Sequence, residues 1–328
     1  MRLEGIHHIT AITGDAPGNV EFYAGTLGLR LVKKTVNQDD PTVYHLFYAD
    51  ERGSAGADLT FFEYPGAAPG RAGDGMVHRV VWRVASEAAL DFWAKRLAAE
   101  GTATDRAAGS LRFSDPEGLD LELVVEETED PPLTAAAPDV LAEMALQGFA
   151  GVRAYSSRPE ASAALLASLA FESAGDDGSW EVRGEGRGGF YAYDQPGTEP
   201  GRPGAGTVHH VAFASPMEEH EEWRARALEG GAQPTPVIDR FYFRSIYFRE
   251  PSGVLFEIAT IGPGFATDEP QDKLGERLSL PPDYESLRER IEPRLTPLPD
   301  PRARRQGAAA ASGGAREASG TAAAGAHS

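Results

Sequence analysis

Three stretches of this chain look like copies of one another, and that repetition limits the fold more than any other feature. IHHITAI begins at Ile6, VHRVVWRV at Val77 and VHHVAFA at Val208. Each is rich in β-forming residues and reads as a strand. A helix signal follows each one. Pro17 opens a helix with Val20, Tyr23 and Leu27 at helical spacing. Ser86 caps another that carries Leu90, Trp93 and Leu97 on one face and stops at Gly101. Ser215, Pro216 and Glu218 read as a capping box with proline at the first helical position. Two of the units close on DPEGLDLE from Asp115 and EPSGVLFE from Glu250, each a Pro-x-Gly turn with a glutamate four residues after the glycine. A fainter unit contains GFAGVRAY from Gly148, a helix opened by Pro159, and GGFYAYD from Gly188. The chain therefore reads as four βαβββ units, near 5–65, 76–126, 146–195 and 206–262.

This predicts an α+β protein of two domains, residues 1–130 and 146–267, joined by a linker over 131–145, with DPPLTAAAPD from Asp130 to Asp139 marking the junction. The repeat ends there. Residues 268–301 form a charged, proline-rich extension with one short helix near Tyr284–Ile291. Residues 302–328 are Arg and then Ala/Gly/Ser, a composition with too little apolar surface to order itself, so the expectation is a disordered tail.

The repeats can be compared with themselves. His7-His8, His78-Arg79, Phe149-Ala150 and His209-His210 fall on the same two strand positions. The closing-strand position holds Thr60, Glu122 and Glu257 in units one, two and four. Neighbouring strand residues face opposite sides, so one histidine of each pair can face a common site. If units one and four share a cleft, His8, His210 and Glu257 converge there, with Thr60 a poor ligand at the fourth corner. Two imidazoles and a carboxylate with open positions form the facial triad suited to non-haem Fe(II), with Mn(II) as a close relative. Units two and three offer only Glu122 across from Arg79 and Ala150, which reads as a structural ion pair. His45, His78 and His220 read as structural, while His7 and His209 read either as orienters of the ligands or as packing.

Composition narrows the function classes. There is no cysteine, which removes disulfides, thiolate metal sites and cysteine nucleophiles. The net charge of −19 opposes nucleic-acid binding. No apolar run is long enough to span a membrane, and MRLEGIHHIT lacks the layout of a signal peptide, so the expected location is the cytoplasm. A homo-oligomer is compatible with all of this.

The stretches GIHHITAITGDA, LGLRLVKKTVNQDDPTVYHLFYADERG, GTVHHVAF and PSGVLFEIAT, in that order, resemble the ring-cleaving dioxygenases of the glyoxalase/bleomycin-resistance/extradiol dioxygenase superfamily, which have the vicinal oxygen chelate fold. The likeness is closest to the hydroquinone 1,2-dioxygenases and spans about residues 3–290, with no firm match from Glu172 to Gly189. It implies metal ligands at His8, His210 and Glu257, in agreement with the repeats, and pocket residues at His7, Thr10, His209, Arg240 and Tyr247. It implies Fe(II) as cofactor, with a small hydroquinone- or catechol-type aromatic and dioxygen as reactants. His209 and Tyr247 are the candidates for moving the phenolic proton, and Arg240 for holding an oxygen. Two other classes remain open: a metal-dependent glyoxalase-like isomerase or lyase, which closes its metal with four protein ligands, and a non-catalytic small-molecule-binding protein of the same fold.

Overall fold

The computed structural model describes residues 1–175 and 178–304. Each unit supplies four strands. Unit one gives β1 (Ile6–Thr13), β2 (Arg30–Asn37), β3 (Asp40–Ala49) and β4 (Asp58–Glu63). Unit two gives β5 (Met76–Val84), β6 (Thr104–Ala107), β7 (Ser110–Ser114) and β8 (Asp120–Val125). Unit three gives β9 (Phe149–Tyr155), β10 (Glu172–Ser173), β11 (Ser179–Arg183) and β12 (Gly188–Asp194). Unit four gives β13 (Val208–Ser215), β14 (Ile238–Asp239), β15 (Phe243–Arg249) and β16 (Leu255–Pro263). Between the first and second strands of each unit lie α1 (Ala16–Val20), α2 (Glu87–Ala99), α3 (Ala163–Ser168) and α4 (His220–Glu229).

The strands form two eight-stranded sheets, and each sheet takes one unit from each half of the chain. The first has the order β14-β15-β16-β13-β1-β4-β3-β2, so units four and one meet where β13 runs antiparallel to β1. The second has the order β10-β11-β12-β9-β5-β8-β7-β6, with units three and two meeting at β9 and β5. Period-two alternation sorts the faces. Leu59, Phe61, Val211, Phe213, Phe256 and Ile258 enter the main core, which also takes Leu90, Trp93 and Leu97 of α2. The residues between them, Thr60, His210, Ala212 and Glu257, face the other side of the first sheet.

The local signals work as expected in α2. Ser86 Oγ accepts from the Ala89 amide at 3.3 Å, and Gly101 leaves the helix with φ of +80°. The capping box expected at Ser215 does not form. Ser215 Oγ turns instead to His220 Nδ1 at 3.1 Å, and a 3₁₀ turn over Met217–Glu219 precedes α4. The buried imidazole is the nearer partner, so it takes the hydroxyl from the helix amides. Unit three is also offset by one residue from the expected alignment. Ala150 has no partner opposite it in β5, just as His209 has none opposite it in β1. The position equivalent to His210 is therefore Gly151, not Ala150.

The extension beyond β16 returns to the first sheet. Lys33 of β2, fully buried, binds Asp268 Oδ1 at 2.8 Å and also Glu269, and Tyr242 donates to Asp268 Oδ2 at 3.0 Å. Phe265 and Leu274 pack with Phe47, Tyr242 and Phe243 in a small apolar cluster of their own. The helix expected near Tyr284–Ile291 is two short turns, Pro282–Glu285 and Arg288–Ile291. Of the tail expected to be disordered from 302, the described part is ordered: residues 301–304 are helical, and Arg302 bridges Glu51 at 2.9 Å and the Ala136 carbonyl at 2.5 Å. The remainder of that segment lies outside the described residues. Among the described residues no helix is long and apolar enough to cross a membrane.

The linker is anchored by a buried ion cluster. Asp130 Oδ2 accepts from Arg83 at 2.7 Å and from the Gly188 amide at 3.1 Å, and Oδ1 accepts from Arg183 at 2.7 Å. Burial pushes the Asp130 carboxyl up, but Arg183, the Gly188 amide and Arg83 outweigh it and bring it down to about 2. A lowered folded value means that the contribution is fully present above the unfolded value of 3.8 and fades as pH falls toward about 2. Asp130→Ala leaves Arg83 buried without its partner and is expected to cost about 3 kcal/mol. Denaturant melts at pH 7 and pH 3 check this: the gap between parent and variant should narrow at the lower pH. An equal gap at both would mean that the ionised carboxylate does not hold the linker.

Candidate metal centre

The pairing of β1 with β13 puts two histidine pairs side by side, and each pair sits at a β-bulge. The register steps from Ile6↔Phe213 to His8↔Ala212, leaving His7 extra, and from Thr10↔His210 to Ala11↔Val208, leaving His209 extra. A bulge re-aims the side chain it carries. His7 Nδ1 comes to 2.9 Å from His8 Nδ1, and His209 Nδ1 to 2.8 Å from His210 Nδ1.

These contacts fix protons. His7 Nε2 lies 3.1 Å from the Thr260 carbonyl, which can only accept, so this nitrogen carries the hydrogen. Burial, with the neighbouring His8, pushes the His7 imidazole down to about 3, so its Nδ1 keeps a lone pair. His8 must then donate from Nδ1, and in the neutral ring Nε2 is left with a lone pair. The matching contact of His209 with His210 gives the same assignment when His210 donates. Burial lowers the His210 imidazole as well, with Glu257 opposing it.

Both Nε2 atoms face one oxygen. Glu257 Oε2 is 3.1 Å from His8 Nε2 and 2.9 Å from His210 Nε2, and the two nitrogens are 3.3 Å apart. All three residues are buried, Glu257 completely. Its Oε1 accepts from Ser245 Oγ at 2.5 Å, whereas Oε2 receives no hydrogen bond of acceptable geometry. The short distances at Oε2 are thus not ordinary hydrogen bonds. Three lone-pair atoms point at one spot, an arrangement that is repulsive until a cation sits among them. Donors at right angles and about 2.1 Å from one ion lie about 3.0 Å apart, so the spacing fits. Two neutral imidazoles and a carboxylate fit Fe(II) or a related divalent ion.

The fourth corner is set by register. Ala212 pairs with Glu257, and Thr10 pairs with Thr60 in the same relation. Thr60 is buried, and its hydroxyl donates to Thr10 Oγ1 at 3.0 Å and lies 2.9 Å from His45 Nε2. His45 of β3 bears the relation to Thr60 that Ser245 of β15 bears to Glu257. In the second sheet the corresponding corners hold Arg79, Gly151, Glu122 and Ala192. Glu122 there pairs with Arg112 at 3.0 Å and with Arg79 at 3.5 Å.

A cavity opens over the triad. His8, His210, Arg240 and Tyr247 line it, with Phe47, Phe62, Tyr242 and Phe243 as aromatic walls and the β2–β3 turn, Asn37 to Asp39, at the rim. Arg240 Nε donates to Tyr247 Oη at 3.3 Å, and its two Nη atoms reach the Asp39 carboxylate at 3.2 Å each. Burial, then the Glu257 charge, raises the Tyr247 phenol above its usual range, so it keeps its proton. His7, Thr10 and His209 stand behind the lining, and His209 is exposed with its ring edge on Phe62 at 5.5 Å. His78 binds Asp194 at 2.8 Å and stacks on Tyr155. His45 is the residue that sequence reasoning missed. It was expected to be structural, yet it lines the cavity. Ser245 and Asp39 were also missed. The repeat comparison could have found Ser245 and His45, since both stand two residues before an aromatic on equivalent strands.

The model of the Glyoxalase/Bleomycin resistance protein/Dioxygenase superfamily matches residues 5–123. MhqO of Bacillus subtilis (strain 168), which carries a ring-cleaving dioxygenase name, is 43% identical over 90% of this chain and 96% of its own length. The chlorohydroquinone/hydroquinone 1,2-dioxygenase of Sphingobium indicum is 32% identical over 88% of this chain and 95% of its own. A crystal structure from Bacillus subtilis subsp. subtilis str. 168, described as a dioxygenase, superposes with TM-score 0.84 at 41% identity, covering 91% of this chain and 98% of that one. Glyoxalase I from Zea mays has TM-score 0.53 at 15% identity over 78% of this chain and 92% of that one, which is a likeness of fold alone.

The proton chain from Thr260 through His7 to His8 generates a prediction about metal affinity. His210→Ala should leave a folded protein with little bound iron. His7→Leu should weaken iron binding by about 10- to 100-fold, because His8 loses the acceptor that fixes its tautomer. His7→Gln, which can still accept from His8, should recover much of that loss. Competition against a calibrated chelator measures all three; equal affinity for the parent and His7→Leu would remove His7 from the site.

Proposed function

Because this chain belongs to the glyoxalase/bleomycin resistance protein/dioxygenase superfamily, and within it to the ring-cleaving dioxygenases, we propose that it is an Fe(II)-dependent dioxygenase that opens a hydroquinone- or catechol-type ring next to a hydroxyl-bearing carbon, in the extradiol manner. The carrying observation is the triad: His8, His210 and Glu257 present three lone-pair atoms to one point beneath an aromatic-walled cavity. These residues hold the metal in this reading. Bound there, Fe(II) supplies a Lewis-acidic and redox-active centre that acidifies a phenol and couples the ring's electrons to dioxygen.

The protein's own groups do the rest. Phe47, Phe62 and Phe243 take the flat ring and keep water from it. Tyr247 keeps its proton and can donate it from Oη to a ring or product oxygen. Arg240 fixes that hydroxyl through Nε and is itself braced by Asp39. Thr60 supports this reading over a glyoxalase-like isomerase. A carboxylate at its position would complete a four-ligand site, whereas a hydroxyl already tied to Thr10 and His45 leaves open positions for substrate and oxygen.

Anaerobic loading with Fe(II), followed by oxygen-uptake measurements, tests the proposal with hydroquinone, catechol and a thiol–aldehyde adduct in parallel. Oxygen consumption with one of the diols, and none with the adduct, is expected. Turnover of the adduct without oxygen uptake would make the protein an isomerase or lyase.

A further inference from the structure

In the proposed reaction Tyr247 donates a proton, but the incoming phenol also has to lose one. We propose that His45 is the acceptor: its Nδ1, open to the cavity, receives the hydroxyl proton of the bound aromatic. This rests on the ring-cleavage reading and adds a catalytic residue to it.

The geometry selects His45 among the histidines around the site. His8 and His210 engage a neighbouring histidine through Nδ1 and direct Nε2 at Glu257. His7 and His209 stand behind the lining. His45 lines the cavity, and its Nε2 lies 2.9 Å from the Thr60 hydroxyl. That hydroxyl gives its own hydrogen to Thr10, so it accepts from His45, which places the ring hydrogen on Nε2 and a lone pair on Nδ1. No described group engages Nδ1, and the atom is not among the enclosed polar atoms that lack a partner. Phe47 and Phe62 hold the ring between them, with centroids at 4.0 and 4.4 Å. Burial keeps the imidazole well below its usual range and so in the neutral form that accepts.

The pseudo-symmetry of the sheet explains why a histidine stands there. His45 pairs across to Phe62 and Ser245 to Ala259, each on the strand that carries a corner residue, Thr60 or Glu257. In the ligand half, the short serine braces the carboxylate. In the other half, the corner residue is too short to reach the metal, and the longer imidazole, braced by it, extends into the cavity. The proton step balances simply. The phenol O–H bond breaks, its electron pair stays on oxygen, an N–H bond forms at Nδ1, and the proton later returns to the ring-opened product.

His45→Gln tests this, because glutamine can keep the bond to Thr60 but cannot take the proton. Iron content after anaerobic loading should match the parent. Oxygen uptake with hydroquinone should fall by about 100-fold, while with nitrohydroquinone, whose hydroxyl ionises without help, the loss should shrink to about tenfold or less. A second readout needs no turnover. Anaerobic absorbance titration with nitrohydroquinone, below the probe's own pKa, should show the parent binding it as the coloured anion and the variant binding it in the neutral form. Equal losses on both substrates, or the same bound form in both proteins, would overturn the role of His45. If the parent consumes no oxygen with any diol, the ring-cleavage reading falls, and the absorbance titration alone still decides whether His45 takes the proton.

Discussion

Everything at the centre depends on one strand pairing, β1 against β13. That contact joins the first and fourth units into one sheet and sets His8 and His210 across a single ladder. Regular pairing would send neighbouring side chains to opposite faces. The two bulges break that rule at His7 and His209, so each outer histidine stays within reach of its neighbour's Nδ1. The same irregularity then determines where the hydrogens go, and so which nitrogens carry lone pairs. From there the parallel neighbours β16 and β4 bring in Glu257 and Thr60 at matched heights. A one-residue slip of this ladder would scatter the donor set, which is why the turn and helix that follow each first strand have to fix the register.

The sequence makes part of this legible, and the division has a physical cause. His8, His210 and Glu257 could be found because the repeat gives each position an internal copy to compare with, and the strand period assigns it a face. The offset in unit three was not legible, because a bulge adds a residue without leaving a mark in an apolar run such as GFAGVRAY. His45 and Ser245 escaped for another reason. Their importance comes from what lies across a strand pair, and hydroxyl and imidazole side chains on β3 and β15 look like ordinary edge decoration in one dimension. Lys33 is similar: its partners Asp268 and Glu269 come from beyond the last repeat, a contact that no periodicity encodes.

The two sheets show what happens when one scaffold is used twice. In the first, the pseudo-equivalent corners are His8, His210, Glu257 and Thr60; in the second they are Arg79, Gly151, Glu122 and Ala192. Glu122 keeps its carboxylate but is matched by Arg79 and Arg112, so its charge is balanced within the chain. Among the described residues Glu257 has no cation beyond what its histidines can supply, and those histidines are held with their hydrogens turned away. A buried carboxylate facing two lone pairs is costly unless a metal completes it. The second sheet thus balances its corner carboxylate within the chain, whereas in the proposed reading the first leaves its carboxylate for a divalent ion to complete.

The rear wall of the cavity follows from the same economy of charge. An open concave sheet would admit water, and water would weaken every interaction at the triad. The extension beyond β16 closes that side with Phe265 and Leu274 against Phe47, Tyr242 and Phe243. Its anchor is ionic where the rest of the contact is apolar. Lys33 is drawn fully into the protein, and Asp268, which balances it, also takes the Tyr242 hydroxyl. Fixing Tyr242 holds the turn that carries Arg240, whose carbonyl accepts from Gln38 and whose guanidinium meets Asp39. The rim on the unit-one side and the wall on the unit-four side are therefore tied through a lysine that reaches the cavity lining at one place, the Tyr242 ring, whose centroid lies 4.9 Å from its ammonium.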